Sequence, residues 1–321
     1  MSEPIQVLYI AGSGRCGSTM LSRLLGEIEG FVNVGEAALH FFMKCPPLPC
    51  GCGARVEDCD FWKDIPADRT VQEFGQEFFR ARHVARLAFR DHTSSLKARN
   101  LILSMRDLYQ SIAKNAGAKV VVDSSKNPAV PYLLSTVPGI ELSVIHLIRA
   151  PQGVADSWRR PKGYLSTAPA WRVSLKWALV NPFAELIARR QPAHHWTIRY
   201  EDLIENPKMF VETIAATVLG HPADCSFLQG NRAAVGVQHI LAGNPDKLDR
   251  SHFVIEKRDP VLPRTTNFLV SLLTFPLMLR YGYIFQGAPW LAPIRFPFAY
   301  EFVGPRDIPL APERQIAPVT D

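Results

Sequence analysis

The chain has 321 residues, 47% of them apolar and 21% charged, with a net charge of +6. That composition is ordinary for a globular protein long enough to bury a large core. The mild positive excess favours anionic ligands, yet no block of lysine and arginine marks a nucleic-acid patch, so no nucleic-acid partner is expected.

The opening MSEPIQVLYIAG has no basic leader, and its apolar run is too short for a signal peptide. A cytoplasmic location with reduced thiols follows as the expectation. From there short β-rich runs alternate with helical stretches. Strands are predicted at 6–11 (QVLYIA), just before Gly35, at 119–124 (KVVVDS), at 141–149 (ELSVIHLIR) and at 195–203 (HWTIRYEDL). Continuous apolar runs suit a sheet covered on both faces. Helices are predicted over 19–29, 129–136, 151–158 and 207–219, and the long stretch 69–116 is rich in helix formers. This rhythm implies a parallel sheet with right-handed crossovers. The apolar stretch 268–285 is interrupted by Pro276 and Arg280. A span needs about twenty uninterrupted apolar residues, so a buried or amphipathic helix pair is expected there rather than membrane contact. One domain is read over 1–303 with a helical insert at about 66–117, followed by a proline-rich, irregular tail over 304–321. No internal repeat is found.

Three stretches carry chemistry. In AGSGRCGSTM the backbone leaves a strand, turns through Gly12, Gly14 and Gly17, and enters a helix at about Ser18. A helix N-terminus presents N–H groups and a positive dipole end, which suits a phosphate or sulfate. Glycines let the backbone approach closely, and Ser13, Ser18 and Thr19 add hydroxyls. The Gly12–Gly17 spacing is that of a P-loop, G-x-x-x-x-G-K-[ST], but Ser18 stands at the lysine position and the cation is Arg15. Asp123 is the contender for a magnesium-holding aspartate at a strand end. A glycine turn closing a βα unit is the plainer reading of the loop alone. In IRAPQGVADSW, Pro151 suits the first turn of a helix, which puts Arg149 at a strand edge and Ser157 about two turns into the helix. Both can meet a phosphate in the crevice where ligands of open α/β sheets lie, and the planar guanidinium fits that anion well. Four of the six cysteines, Cys45, Cys50, Cys52 and Cys59, cluster in one loop. Their C-x-C with uneven flanks differs from paired C-x-x-C zinc sites, so packed thiols are expected and no metal ligand is assigned.

Together these motifs resemble those of sulfotransferases that use 3′-phosphoadenosine-5′-phosphosulfate (PAPS). The resemblance implies an α/β fold of the P-loop-NTPase-like type, a three-layer sandwich with a central parallel sheet and a helical insert. It implies transfer of a sulfuryl group from PAPS to a hydroxyl or amine acceptor by in-line displacement, leaving adenosine 3′,5′-bisphosphate and requiring no metal. Arg15, two residues before Gly17-Ser18-Thr19, matches the 5′-phosphosulfate loop, whose binding set would be Ser13, Gly14, Arg15, Cys16, Gly17, Ser18 and Thr19. Arg149 and Ser157 match the pair on the 3′-phosphate, and Tyr200 in RYEDLIENP matches a tyrosine near the adenine. Glu36, after Gly35, matches the Gly-Glu that supplies the catalytic carboxylate in protein-tyrosine and some carbohydrate branches. A shielded glutamate raised toward neutrality works well as a general base, while capping of the next helix is the plainer role for it.

In the cytosolic small-molecule branch a histidine follows the lysine of DSSKNPAVP; here Pro128 takes that place, which favours Glu36 as base with His40 in reserve. Lys126, on its own a solvated loop cation, would with Ser125 cradle the sulfuryl oxygens, completing a catalytic set of Arg15, Glu36 and Lys126. HILAGNPDKL is similar to a His-x-x-x-Gly-Asn-Pro stretch of bacterial members, although Asp246 intervenes before Lys247 where a basic residue would face the cofactor. CGCGARVEDCDFW is similar to their cysteine-rich loop. The acceptor, a small molecule, glycan, lipid or peptide, would lie in a cleft walled by the insert and by 161–171. Two other readings stand beside this one. A P-loop kinase needs magnesium and the lysine absent at position 18. A non-catalytic binding protein of the same fold is opposed by the joint presence of Arg15, Glu36, Lys126, Arg149 and Ser157.

Overall fold

Successive side chains of a strand point to opposite faces, so a strand apolar on both needs cover on both. The computed structural model, which describes residues 4–43, 48–65, 69–79, 95–188, 194–248 and 253–284, shows this for the first strand, β1 (Ile5–Ala11). Val7, Tyr9 and Ala11 enter one core, and Leu8 and Ile10 enter another. β1 lies at the centre of a five-stranded sheet, between β3 (Val120–Asp123) and β4 (Ile140–Ile148). β2 (Phe31–Gly35) lies beyond β3 and β5 (His194–Arg199) beyond β4, and every pairing is parallel. The chain steps from β3 across β1 to β4, which opens a crevice at the carboxyl end of β1, where open α/β sheets bind ligands.

The first core is covered by α2 (Ala37–Phe42), α3 (Arg69–Phe78), α4 (Leu96–Ala116) and α5 (Ala129–Leu134). The second lies under α1 (Ser18–Leu25) and α9 (Pro207–Leu219). A smaller cluster joins Ile148 to α6 (Pro151–Arg159), α7 (Ala170–Ala188) and α10 (Arg264–Arg280). Helix, parallel sheet and helix thus form the three layers of the α/β class read from the sequence. Among the described residues no helix is long and apolar enough to cross a membrane.

Several boundaries differ from expectation. The strand expected over 195–203 ends at Arg199, and Tyr200–Glu205 is helix α8. Glu201 and Asp202 lie in its first turn, where negative charge is favourable, and Asp202 takes a two-pronged pair from Arg199 at 2.7 Å on each oxygen. The helix pair expected at 268–285 is one helix, α10, running through Pro276. Proline removes one backbone bond, and burial of Val270, Thr274 and Met278 at intervals of four offsets that loss. Its C-terminal end is fixed by Arg280 and Tyr281, which both donate to the buried Glu185 carboxylate. α7 and a small antiparallel sheet, β6 (Leu228–Gln229), β7 (Arg232–Ala233) and β8 (Phe253–Val254), were not anticipated. Strands of two residues leave no periodicity to read. The expected helical insert contributes α3 and α4; the remainder of it at 80–94, Cys45 and the 304–321 tail lie outside the described residues.

One buried carboxylate joins three of these elements. Asp123, with no solvent exposure, accepts from the Ser125 N–H at 2.7 Å, the Tyr109 hydroxyl at 2.9 Å and the Ala38 N–H at 3.1 Å. Burial pushes its carboxyl above the usual range, and those donors pull in the other direction. Tyr109→Phe removes one donor from this buried acceptor and is expected to cost about 1–3 kcal/mol in urea unfolding followed by circular dichroism.

Candidate active site

The loop after β1 takes its shape from close approaches that admit only glycine. A Cβ on Gly12 (φ 141°) would lie 2.3 Å from the Leu147 carbonyl oxygen of β4, and one on Gly17 (φ 100°) would lie 2.4 Å from the Tyr200 ring. Gly17 leads into α1, whose first turn has no acidic residue and takes no side-chain cap. The Ser13 hydroxyl is buried in this loop with no hydrogen-bond partner among the described residues. A buried polar group of this kind calls for a partner, and a bound anion would provide one. Cys16 is buried in the core under α1, and burial raises the pKa of its thiol.

Arg149 follows the last residue of β4, and its Nη1 donates to the Arg15 carbonyl at 3.2 Å. Its guanidinium lies over the Tyr200 ring at 4.4 Å, and that of Arg15 lies over the Trp158 ring at 5.2 Å. Both stackings orient a planar cation at the loop. The Arg149 carbonyl accepts from Trp177 Nε1 at 3.0 Å, and the Ala150 N–H donates to Glu201 at 3.0 Å, so α7 and α8 fix this corner. Ser157 is half-buried on α6 beside Trp158. The loop, Arg149 and Tyr200 are therefore one contiguous group.

Glu36 and Lys126 form a second group, at the ends of β2 and β3. Lys126 Nζ donates to Glu36 Oε1 at 2.5 Å and to the Ser124 carbonyl at 2.8 Å. Their side chains are only 17% and 16% exposed, so Lys126 is a paired cation rather than a solvated one. Glu36 occupies the N-cap position of α2 but makes no side-chain cap bond. Asp123 receives the Ala38 N–H of that helix instead, which corrects the capping reading of Glu36 and leaves Asp123 fully engaged within the fold. His40 lies one turn on, its N–H bonded to the Glu36 carbonyl at 3.1 Å. Burial, aided by the charge of Lys247, lowers its imidazole below the ordinary range.

The segment around Gly243 joins the two groups. Leu241 exchanges backbone bonds with Val34 and Glu36 at 3.1 and 2.9 Å, extending the edge of β2. A Cβ on Gly243 would lie 3.7 Å from Glu36 Oε1 and 3.8 Å from Thr19 Oγ1, so one glycine faces both the carboxylate and the start of α1. Tyr164 donates to the Gly243 carbonyl at 2.9 Å, which brings part of the expected 161–171 wall to the Glu36 side. Lys247 is buried and donates to the Pro49 carbonyl at 2.7 Å. Among the described residues the non-glycine positive-φ positions are Arg15, Lys126 and Ala242, and all three lie in these segments. Backbone strain of that sort collects where a side chain must be aimed. Trp158 and Gly243 were not singled out from the sequence, although both stand inside quoted motifs: Trp158 directly after Ser157, and Gly243 in Gly-Asn-Pro.

No protein-family model matches the chain, and no curated protein matches it. Among solved structures it is similar to the sulfotransferase domain of the Synechococcus PCC 7002 olefin synthase, with 19% identity, a TM-score of 0.44, and 86% of this chain and 96% of that one covered. It is also similar to the sulfotransferase STF1 of Mycobacterium tuberculosis H37Rv (18% identity, TM-score 0.42, 68% of each chain covered). A third is the sulfotransferase STF9 of Mycobacterium avium (13% identity, TM-score 0.41, 69% of this chain and 65% of that one).

Gly17→Ala combines a left-handed φ with a clash against Tyr200. It is expected to lower unfolding free energy by about 1–3 kcal/mol and to weaken binding of a phosphate ester, both measurable by denaturant titration and calorimetry.

Proposed function

We propose that the chain is a PAPS-dependent sulfotransferase acting on a hydroxyl or amine acceptor. The observation that carries this reading is the bond from Arg149 to the Arg15 carbonyl, which puts two guanidinium groups from distant motifs beside one glycine loop. Two cations, a helix start and a buried unpartnered hydroxyl form a set that fits a ligand with more than one anionic group. Ser13, Gly14, Arg15, Cys16, Gly17, Ser18 and Thr19 would hold the 5′-phosphosulfate end, Arg149 and Ser157 the 3′-phosphate, and Tyr200 the adenine side. When bound, PAPS supplies the activated sulfuryl group.

The chain's own residues do the rest by position and charge. Arg15, held by Trp158, puts a fixed positive charge at the loop where negative charge must be stabilised. Glu36 accepts the acceptor's proton at its carboxylate, and the Lys126 contact orients that carboxylate. Tyr164 and the Gly243 segment border the Glu36 side, where an acceptor would lie. A P-loop kinase would want a lysine at position 18 and an aspartate for magnesium. Ser18 occupies the first place, and Asp123 is enclosed by its three protein donors.

Adenosine 3′,5′-bisphosphate is expected to raise the melting temperature without magnesium, and stabilisation by magnesium-ATP alone would overturn the reading. With PAPS and an acceptor panel read by mass spectrometry, Arg15→Ala should lower transfer by roughly two to three powers of ten. Arg149→Ala should act chiefly on cofactor affinity. Glu36→Gln should keep cofactor binding and lose about 10²–10⁴ in rate; unchanged rate would move the base to His40. Binding with no turnover on any acceptor would favour the non-catalytic alternative.

A further inference from the structure

The cysteine loop was expected to hold packed thiols, because the sequence shows no paired C-x-x-C spacing. The fold adds a donor from far along the chain. Cys50, Cys52 and Cys59 converge with His239, and their ligand atoms all lie within 4.8 Å of one another. The sulfur of Cys59 is 3.7 Å from that of Cys52 and 3.8 Å from that of Cys50. His239 Nδ1 is 3.2 Å from Cys59 Sγ and 3.8 Å from Cys50 Sγ.

These four separations are close to those between the ligands of a tetrahedral ion. Zinc–sulfur bonds of about 2.3 Å and zinc–nitrogen bonds of about 2.0–2.1 Å place sulfurs ~3.8 Å apart and sulfur ~3.5 Å from nitrogen. We propose that Cys50, Cys52, Cys59 and His239 Nδ1 bind one zinc ion in a closed structural site. Three soft thiolates and one imidazole in this geometry select zinc over magnesium or calcium, which take oxygen donors. Binding transfers the three thiol protons to solvent, leaving a site with net charge −1. The buried Lys247 side chain donates to the carbonyl of Pro49, the residue before Cys50, at 2.7 Å.

The surroundings fix the donors before any ion arrives. The Cys50 N–H donates to the Ala54 carbonyl at 2.9 Å, and the Gly53 N–H returns to the Cys50 carbonyl at 2.8 Å, closing a tight knuckle around Cys52. His239 is stacked on Phe61 with ring centroids 5.0 Å apart and planes 8° from parallel, and its carbonyl accepts from Trp62 Nε1 at 2.9 Å. Gly51 lies so close to the 238–241 strip that a Cβ would meet the Gln238 carbonyl oxygen at 2.3 Å, and its N–H donates to the Ile240 carbonyl at 3.0 Å. Such supporting contacts orient ligands and set the imidazole plane.

The ion therefore fastens the 50–62 loop to the 238–241 strip, and Leu241 of that strip is bonded to Val34 and Glu36. Its role is positioning, at a distance from the reacting groups, and its presence does not depend on whether the chain transfers sulfuryl groups.

The test is metal content. Full-length protein purified under reducing conditions and dialysed against metal-free buffer should carry about one zinc per chain by plasma mass spectrometry. Cys59→Ser and His239→Ala should each fall below about a tenth of that, while Cys225→Ser, a buried thiol outside the cluster, keeps it. If the ligand variants do not fold, the wild-type chain decides alone. Replacement by cobalt should give the visible bands of a tetrahedral ion with a sulfur-to-metal charge-transfer band. Metal-stripped protein should rebind zinc chloride with sub-micromolar affinity or better. Wild-type protein with reduced thiols and neither retained nor rebound zinc would overturn the proposal, as would an octahedral cobalt spectrum or a disulfide among these cysteines in freshly purified protein.

Discussion

The Asp123 carboxylate decides how the ends of β2 and β3 meet. It is fully buried at the end of β3 and takes donors from α2, from the turn after β3 and from α4. An unsatisfied buried carboxylate would be far too costly, so these three elements must come together. Their meeting places Glu36 at the start of α2 against Lys126 in the turn after β3. Glu36 is then released from capping, because Asp123 already occupies that role, and its oxygens turn to the lysine and to Gly243. A structural carboxylate thus leaves Glu36 without a capping role, available for the base role proposed for it.

A corresponding economy is found on the other side of β1. The guanidinium of Arg149 is seated on Tyr200, and Tyr200 in turn closes against Gly17. Removing the side chain at position 17 is what lets the ring, the loop and the arginine share one corner. Trp158 does the same for Arg15 one helix away. Aromatic planes orient both cations. Two positive groups kept beside a helix start are mutually repulsive, and the polyanionic ligand proposed above would relieve that repulsion.

The strip from His239 to Lys247 links these halves to the rest of the molecule. It extends the edge of β2 through Leu241, faces Glu36 and Thr19 through Gly243, and receives Tyr164 from the 161–171 segment. A strip with so little regular structure needs external support. His239 and Lys247, at its two ends, both reach toward the cysteine loop, through Cys59 and Pro49. Its geometry is therefore set by contacts nearly two hundred residues distant in sequence.

The sequence alone determined the order of the main elements and the position of the glycine loop between β1 and α1. Strands apolar on both faces, the Gly12–Gly17 spacing, Pro151 at a helix start and the run 207–219 are local signals, and local propensity and periodicity set them directly. The placing of Arg15, Arg149 and Tyr200 in one corner is consistent with motifs read separately. What only the tertiary structure decided is pairing: that Lys126 meets Glu36, that Asp123 rather than Glu36 caps α2, that α10 passes through Pro276, and that His239 joins Cys50, Cys52 and Cys59. In each case the deciding energy comes from groups far apart in the chain brought out of water together, and such contacts leave no period or spacing in the sequence to read.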